Sequence, residues 1–310
     1  MTVVVSFTPT GSNQTFVVPV GVTMLDVSMW GGRGGSYSTF VTTPILPGAS
    51  AQLDGVLTVV PGETLTIQVG QAGRYGARFG AGGTTGLGGW PDGGNGGVMG
   101  PGFTAAGGGG SSRIWRGGVG GTLLAVVGGG GGLGYSDGSM DEALGYSSPR
   151  GDAGTPTPAD GGRTSYNGVS LTVPGSGATS LVGGSAGGTG ATGGSSLQGG
   201  NGASGSASPF LFAGGGGGGG LYGGGGAGKQ SKAGSLLIGN QGGGGSSGLD
   251  IGSWSSVSWS KKGATGGGIS ESLYLVQQGG LVRFTYIEPP VFTGGWSLGI
   301  VKLNGLDYLS

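Results

Sequence analysis

The stretch AGGGGGGGLYGGGGAG occupies residues 213–228. Apart from one Leu-Tyr pair it carries nothing larger than a methyl group, so it cannot fill a hydrophobic core. It is either a flexible spacer or a segment stripped of side chains so that backbones can pack together. Composition separates the two readings. Of 310 residues, 88 are Gly and 14 are Pro, a level at which aperiodic sequence usually signals disorder. Disordered chains, however, combine low hydrophobicity with high net charge. Here only 8% of residues are charged, the formal net charge is zero, and 35% are hydrophobic. A neutral, apolar glycine chain left open to water would aggregate, so order is expected. Glycine runs at 107–110 and 128–132 break an every-third-residue register and exclude collagen.

Polyglycine can form an extended helix of the polyproline II type, with three residues per turn and no internal hydrogen bonds. Without Cβ atoms, such helices can lie directly against one another. Their N–H and C=O groups then pair sideways, as buried backbone groups must. Ordering each residue costs about 1–2 kcal/mol, and a backbone hydrogen bond returns about 0.5–1.5 kcal/mol. The array therefore needs a frame.

That frame is legible at both ends of the chain. TMLDVSMW (23–30) alternates Leu25, Val27 and Met29 against Asp26 and Ser28, and TLTIQV (64–69) alternates Leu65, Ile67 and Val69 against Thr66 and Gln68. Each has the period of a strand with one buried face. Pro-Gly pairs at Pro47-Gly48 and Pro61-Gly62 supply turns. LVRFTYI (281–287) places Val282, Phe284 and Tyr286 on one face and reads as the strand that closes the sheet system. Short strands with such punctuation predict an all-β sandwich. Trp30, Trp115 and Phe284 are expected in its core.

Between the ends, short apolar plugs precede glycine runs in TLLAVVGGGGG (122–132), SLVGGSAGG (180–188), PFLFAGGGGGGG (209–220) and SLLIGNQGGGG (235–245). Their irregular spacing argues against a solenoid. The expected organisation is sandwich strands at 1–75, a polyglycine-helix insertion at 76–268, closing strands at 269–288 and a docking extension at 289–310. In that extension Val291, Phe292, Trp296, Leu298, Ile300, Leu303 and Tyr308 are candidate assembly contacts, because unpaired apolar strands are aggregation templates when left free.

Chemistry is constrained mainly by what is missing. Without Cys or His, there are no disulfides, no Cys/His metal sites and no imidazole base. No catalytic, cofactor or metal residue is assigned. Zero net charge makes nucleic acid and anionic membranes poor partners. GGGGAGKQ (223–230) approaches a phosphate-binding loop, but Gln230 stands where a magnesium-holding hydroxyl belongs. GGSAG (183–187) fits a hydrolase elbow whose base would be a missing His. Asp141 and Glu142 are adjacent and do not by themselves make an opposed glycosidase pair.

Arg150, Gly151 and Asp152 spell RGD within a polar stretch and are candidate host contacts, since binding residues favour loops on rigid scaffolds. Trp254 and Trp259, in SWSSVSWSKK, are candidates for stacking on surface sugars. Their plainer reading is burial of aromatic area at the ends of the array. MTVVVSFTPTGSN lacks a secretory pattern, and no apolar run reaches the roughly 20 residues of a transmembrane helix. Synthesis in a cytoplasm is therefore expected.

Taken in order, FTPTGSNQTFVVPVGVTMLDVSMWGGRGG (7–35), LTVVPGETLTIQVGQAG (57–73), AGGGGSSRIW (106–115), LLAVVGGGGG (123–132) and GGLVRFTY (279–286) resemble the glycine-rich domain family. That family includes a receptor-kinase ectodomain and many phage tail-tip and tail-fibre proteins. The resemblance implies a jelly-roll-like sandwich with inserted polyglycine II helices and very little α-helix. It also implies a phage minor tail protein: a virion component that braces the tail tip, partners other tail-tip proteins and contacts the host surface. A homo-oligomer, specifically a trimer, is expected. The alternatives are a host-receptor adhesin that binds a cell-surface glycan or protein and, ranked last, a cell-wall glycan-degrading enzyme.

Overall fold

The computed structural model describes residues 1–36, 47–76, 86–99, 103–136, 151–154, 165–166, 169–170, 174–205, 212–228, 240–262, 279–289, 300–303 and 306–309. Ten strands form its frame: β1 (Thr2–Phe7), β2 (Gln14–Val17), β3 (Met24–Trp30), β4 (Ser50–Thr58), β5 (Thr64–Gln68), β6 (Ser112–Arg116), β7 (Thr122–Val127), β8 (Gly248–Leu249), β9 (Trp254–Lys262) and β10 (Leu281–Ile287). They make two five-stranded antiparallel sheets, ordered β1-β10-β3-β4-β9 and β8-β7-β6-β5-β2. A farther hairpin, β11 (Ile300–Leu303) and β12 (Leu306–Leu309), pairs Ile300 with Leu309. The other strand pairs are two residues long, and the helix among the described residues is one 3-10 turn, Ile251–Ser253. The protein is an all-β sandwich.

The period-two pattern fixes the core. Leu25, Val27 and Met29 of β3, Leu53 and Leu57 of β4, and Val282 and Phe284 of β10 face Leu65, Ile67, Ile114 and Leu124 of the second sheet. Phe7, Phe16 and Phe284 cross-pack with ring centroids 5.0–6.3 Å apart, within the range of favourable aromatic pairs. β10 enters the first sheet between β1 and β3, with Phe284 opposite Val27. Residues 281–287 thus close the sheet in the expected way.

Three expectations need correction. Trp30 is half-buried outside the central cluster, with the Lys262 ammonium 4.5 Å from its ring centroid. Its parity explains this, since Leu25, Val27 and Met29 take the inward positions. Trp115 is buried, but beside Gln68, whose Oε1 accepts from its indole N–H, and outside the apolar cluster between the sheets. β5 is buried on both faces: Thr66 and Gln68 are each 6% exposed, because Gln68 packs with Arg113 and Asn13 on the side away from Leu65. Strands β6 to β9 also fall within the glycine-rich part of the sequence, so the two kinds of structure alternate along the chain.

Candidate functional site: the glycine array and its seam

The strands do not stop at the end of the sandwich. β3 runs on into residues 31–35, β5 into 70–74 and β7 into 128–134, while 106–111 leads into β6 and 240–247 into β8. In these extensions the side chains vanish and the hydrogen bonding changes period. Residues 214–219 show the new rule. The N–H groups of Gly214 and Gly217 donate to Ala203 and Gly200, those of Gly215 and Gly218 to Asn240 and Gly243, and those of Gly216 and Gly219 to Ala106 and Gly109. Carbonyls on the same segment accept from Gly94 and Gly97, from Gly129 and Gly132, and from Gly224 and Ala227. The pairing repeats every three residues and ties one segment to six neighbours.

Segments 106–110 and 129–133 follow the same rule. Gly109 donates to Gly130 and Gly110 to Gln71, while Gly129 donates to Gly219 and Gly130 to Gly32. Donor–acceptor distances there are 2.7–3.2 Å, ordinary for amide pairs. Three residues per repeat is the period of a polyproline II backbone, which leaves every amide directed sideways. A strand directs its amides to two sides only, so it cannot make this arrangement.

At residues 216–218 the spacing tolerates glycine alone. A Cβ built at Gly217 would fall on the carbonyl oxygen of Gly224, at Gly216 on that of Gly94, and at Gly218 on that of Gly129, all well under 3.0 Å. The obstructing atoms are backbone, with no rotamer through which to move aside. By contrast, Gly118 in the β6–β7 turn meets nothing within 4 Å.

At the seam, where period two becomes period three, side chains complete the hydrogen bonding. Ser112 Oγ accepts from Gly70 N–H and donates to the Trp30 carbonyl, Ser247 Oγ accepts from Gly128 N–H, and Asp152 Oδ1 accepts from Ala49 N–H. The largest such clasp is a buried ion pair. Asp92 accepts from the N–H and Oγ of Ser111 and from the Arg113 guanidinium, which also donates to the Leu197 carbonyl. Burial pushes the Asp92 carboxyl above its usual range, while Arg113 and Ser111 pull it back. Gly219 lies against this carboxylate, so a Cβ there would strike it.

The candidate contact residues are distributed across these parts. Arg150 lies outside the described residues. Gly151 is buried in the array, with the Gly242 carbonyl where its Cβ would be. Asp152 is engaged within the chain, by Ala49 through one oxygen and by Lys261 Nζ through the other at 3.1 Å. Trp254 belongs to the sandwich core and donates its indole N–H to the Leu124 carbonyl at 2.9 Å. It therefore caps no end of the array. Trp259 is half-buried against the same core from β9. Val291, Phe292, Trp296 and Leu298 lie outside the described residues, while Ile300, Leu303 and Tyr308 stand on the β11–β12 hairpin.

Asp141 and Glu142 also lie outside the described residues. In the near phosphate-loop motif, residues 223–227 are array backbone, with other carbonyls in the space a phosphate would need. Among the described residues there is no group of three or more Asp or Glu that could hold a metal ion. Sequence reasoning missed Asp92 and Arg113. They stand 21 residues apart, and no local pattern links them. No known family model matches the chain, and no curated protein is significantly similar to it.

Proposed function

We propose that this chain is a structural, non-enzymatic component of a phage tail tip, which braces the tip and attaches through residues 289–310. The observation that carries the reading is the six-neighbour hydrogen bonding of residues 214–219. A core made of paired backbones is stiff. It offers proteases no extended segment to bind and presents no reactive side chain, which suits a part projecting from a particle. Partners would be other tail-tip proteins and further copies of the chain, as a trimer. Deleting residues 289–310 tests the attachment. The truncated protein should fold with an unchanged melting temperature yet be missing from purified particles by mass spectrometry, and normal incorporation would contradict the reading.

A second reading, a host-receptor adhesin, is favoured by one topological observation. Gly132 is level with Gly216 and Gly129 with Gly219, so residue 219 lies near the sandwich and 214 far from it. By the same pairings, Ser36, Gly76, Gly97, Leu133, Ala203 and Ala227 all lie toward the pole far from the sandwich. Residues at one end of a rigid scaffold are well placed to bind a partner. Arg150→Ala, in the stretch between 136 and 151, separates the readings. An adhesin would assemble normally and adsorb less, whereas a brace would show no change in adsorption.

A further inference from the structure

We propose that the end of the sandwich away from the array receives the β11–β12 hairpin of a second copy, so that copies join head to tail in a ring. Among the described residues, Val17, Val20, Met24, Val60 and Ile287 stand exposed at that end. Register places them there. β3 begins at Met24 and runs toward the array at Gly31, β4 ends at Thr58 opposite Met24, β2 ends at Val17 opposite Thr64, and β10 ends at Ile287. Val20 lies between β2 and β3, and Val60 between β4 and β5. Val20 is 86% exposed and Ile287 76%. Large apolar side chains gathered at one surface mark an interaction site. The acid beside them is engaged within the chain: Glu63 accepts from Val60 N–H at 2.9 Å and from Arg116 Nε at 2.7 Å. This end therefore offers apolar surface, and its partner must bring the same.

The hairpin supplies it. Ile300 pairs with Leu309, Val301 with Tyr308, Lys302 with Asp307 and Leu303 with Leu306. Alternation along each strand puts Val301, Leu303, Leu306 and Tyr308 on one face, which carries no charge. The opposite-charge pair Lys302–Asp307 belongs to the other face. A two-stranded hairpin is marginally stable alone in water and needs a surface to pack on. The chain's own hairpin leaves Val20 and Ile287 exposed, which points to another copy. Reach agrees with this. The chain leaves the sandwich at the same end, where Glu288 N–H donates to the Met1 carbonyl at 2.8 Å. Residues 290–299 can span at most about 33–36 Å, enough to cross to the matching end of an adjoining copy. Hairpin on sandwich is a heterologous contact, and such a contact repeated by rotation closes a ring. The inference rests on the proposed trimer and names its surface, and it does not depend on the chain being a tail part.

The test uses the full chain, purified without particles, and its light-scattering mass after gel filtration. A trimer is expected. Val20→Glu on the sandwich and Leu306→Glu on the hairpin should each reduce the mass to that of one chain. Val20 is exposed, so its variant should fold, and an unchanged far-ultraviolet circular dichroism spectrum checks both variants. A monomeric parent would overturn the trimer and the contact together, whereas a trimer that survives either substitution would overturn the contact alone. The tail-tip reading has its own readout, the incorporation of the truncated chain. The sequence has no Cys, so Val20→Cys and Leu306→Cys introduce the only thiols, and a flexible bismaleimide reports which chains meet. With both substitutions in one chain, bands of two and three joined chains on a denaturing gel are expected, and neither substitution alone should give them. Cross-linking confined within one chain would mean that the hairpin folds back on its own sandwich. Cross-linking between copies of a single variant would mean that like meets like. Either result, or chains that stay unjoined throughout, would overturn the ring.

Discussion

The sandwich and the array solve the same problem with opposite materials. Between the sheets, Leu25, Met29, Leu53, Ile67 and Phe284 remove their side chains from water, and hydrophobic transfer drives the packing. In the array, residues 214–219 have no side chains to bury, and what is removed from water is peptide groups, each paired with a neighbour. Side-chain cores tolerate change because rotamers can shift and cavities can partly relax. The array has no such slack, since the atom beside the absent Cβ of each of Gly214 to Gly218 is a carbonyl oxygen of another segment. One region is held by area and the other by fit. The seam between them is where orphaned amides find Ser112, Ser247, Asp152 and Asp92.

The contrast can be broken by substitution, and the largest effect belongs to the array. Gly217→Val should cost more than about 4 kcal/mol, at the diagnostic end of single substitutions, and should abolish protease resistance. A variant that melts like the parent would remove the basis for a backbone core. Phe284→Ala should cost about 3–5 kcal/mol through the cavity it leaves, and denaturant unfolding with an unchanged slope would measure it. Asp92→Ala strands the buried Arg113 guanidinium, which cannot shed its proton, and should also cost about 3–5 kcal/mol. A loss near zero would mean that the seam is held by its serines alone. At the bottom of the series, Gly118→Ala has open space and should change stability by less than about 0.5 kcal/mol. This pairs a silent glycine with the lethal one at Gly217.

The two tryptophans proposed as sugar contacts now part company. Trp254→Ala would open a cavity in the sandwich and cost about 3–5 kcal/mol, so lost host binding in that variant would report unfolding. Trp259, half-buried on the edge strand β9, is the one to test for contact.

How much was legible followed from how local each feature is. β3 and β10 could be read because their alternation is written in consecutive residues, and Leu25, Val27, Met29, Val282 and Phe284 are buried as expected. The close packing of glycine could be anticipated from the missing Cβ atoms and the missing charge. The six partners of residues 214–219 could not, because they come from segments scattered between residues 94 and 243 and glycine carries no mark of which neighbour it meets. The same holds for Asp92 and Arg113, and for Asp152, whose engagement by Ala49 spans 103 residues. Trp30 and Trp115 were misplaced by treating large aromatics as core by default. Parity along β3 and the polar neighbour Gln68 were the available warnings.

The central claim is that the glycines form a hydrogen-bonded core. Hydrogen exchange at the amides of Gly214 to Gly219, followed by NMR on the intact chain, tests it most directly. The account predicts protection comparable to that of Val27 and Phe284, lost only when the whole molecule unfolds. Exchange at the rate of an unstructured peptide, while β3 and β10 remain protected, would show a tether between strands and contradict it.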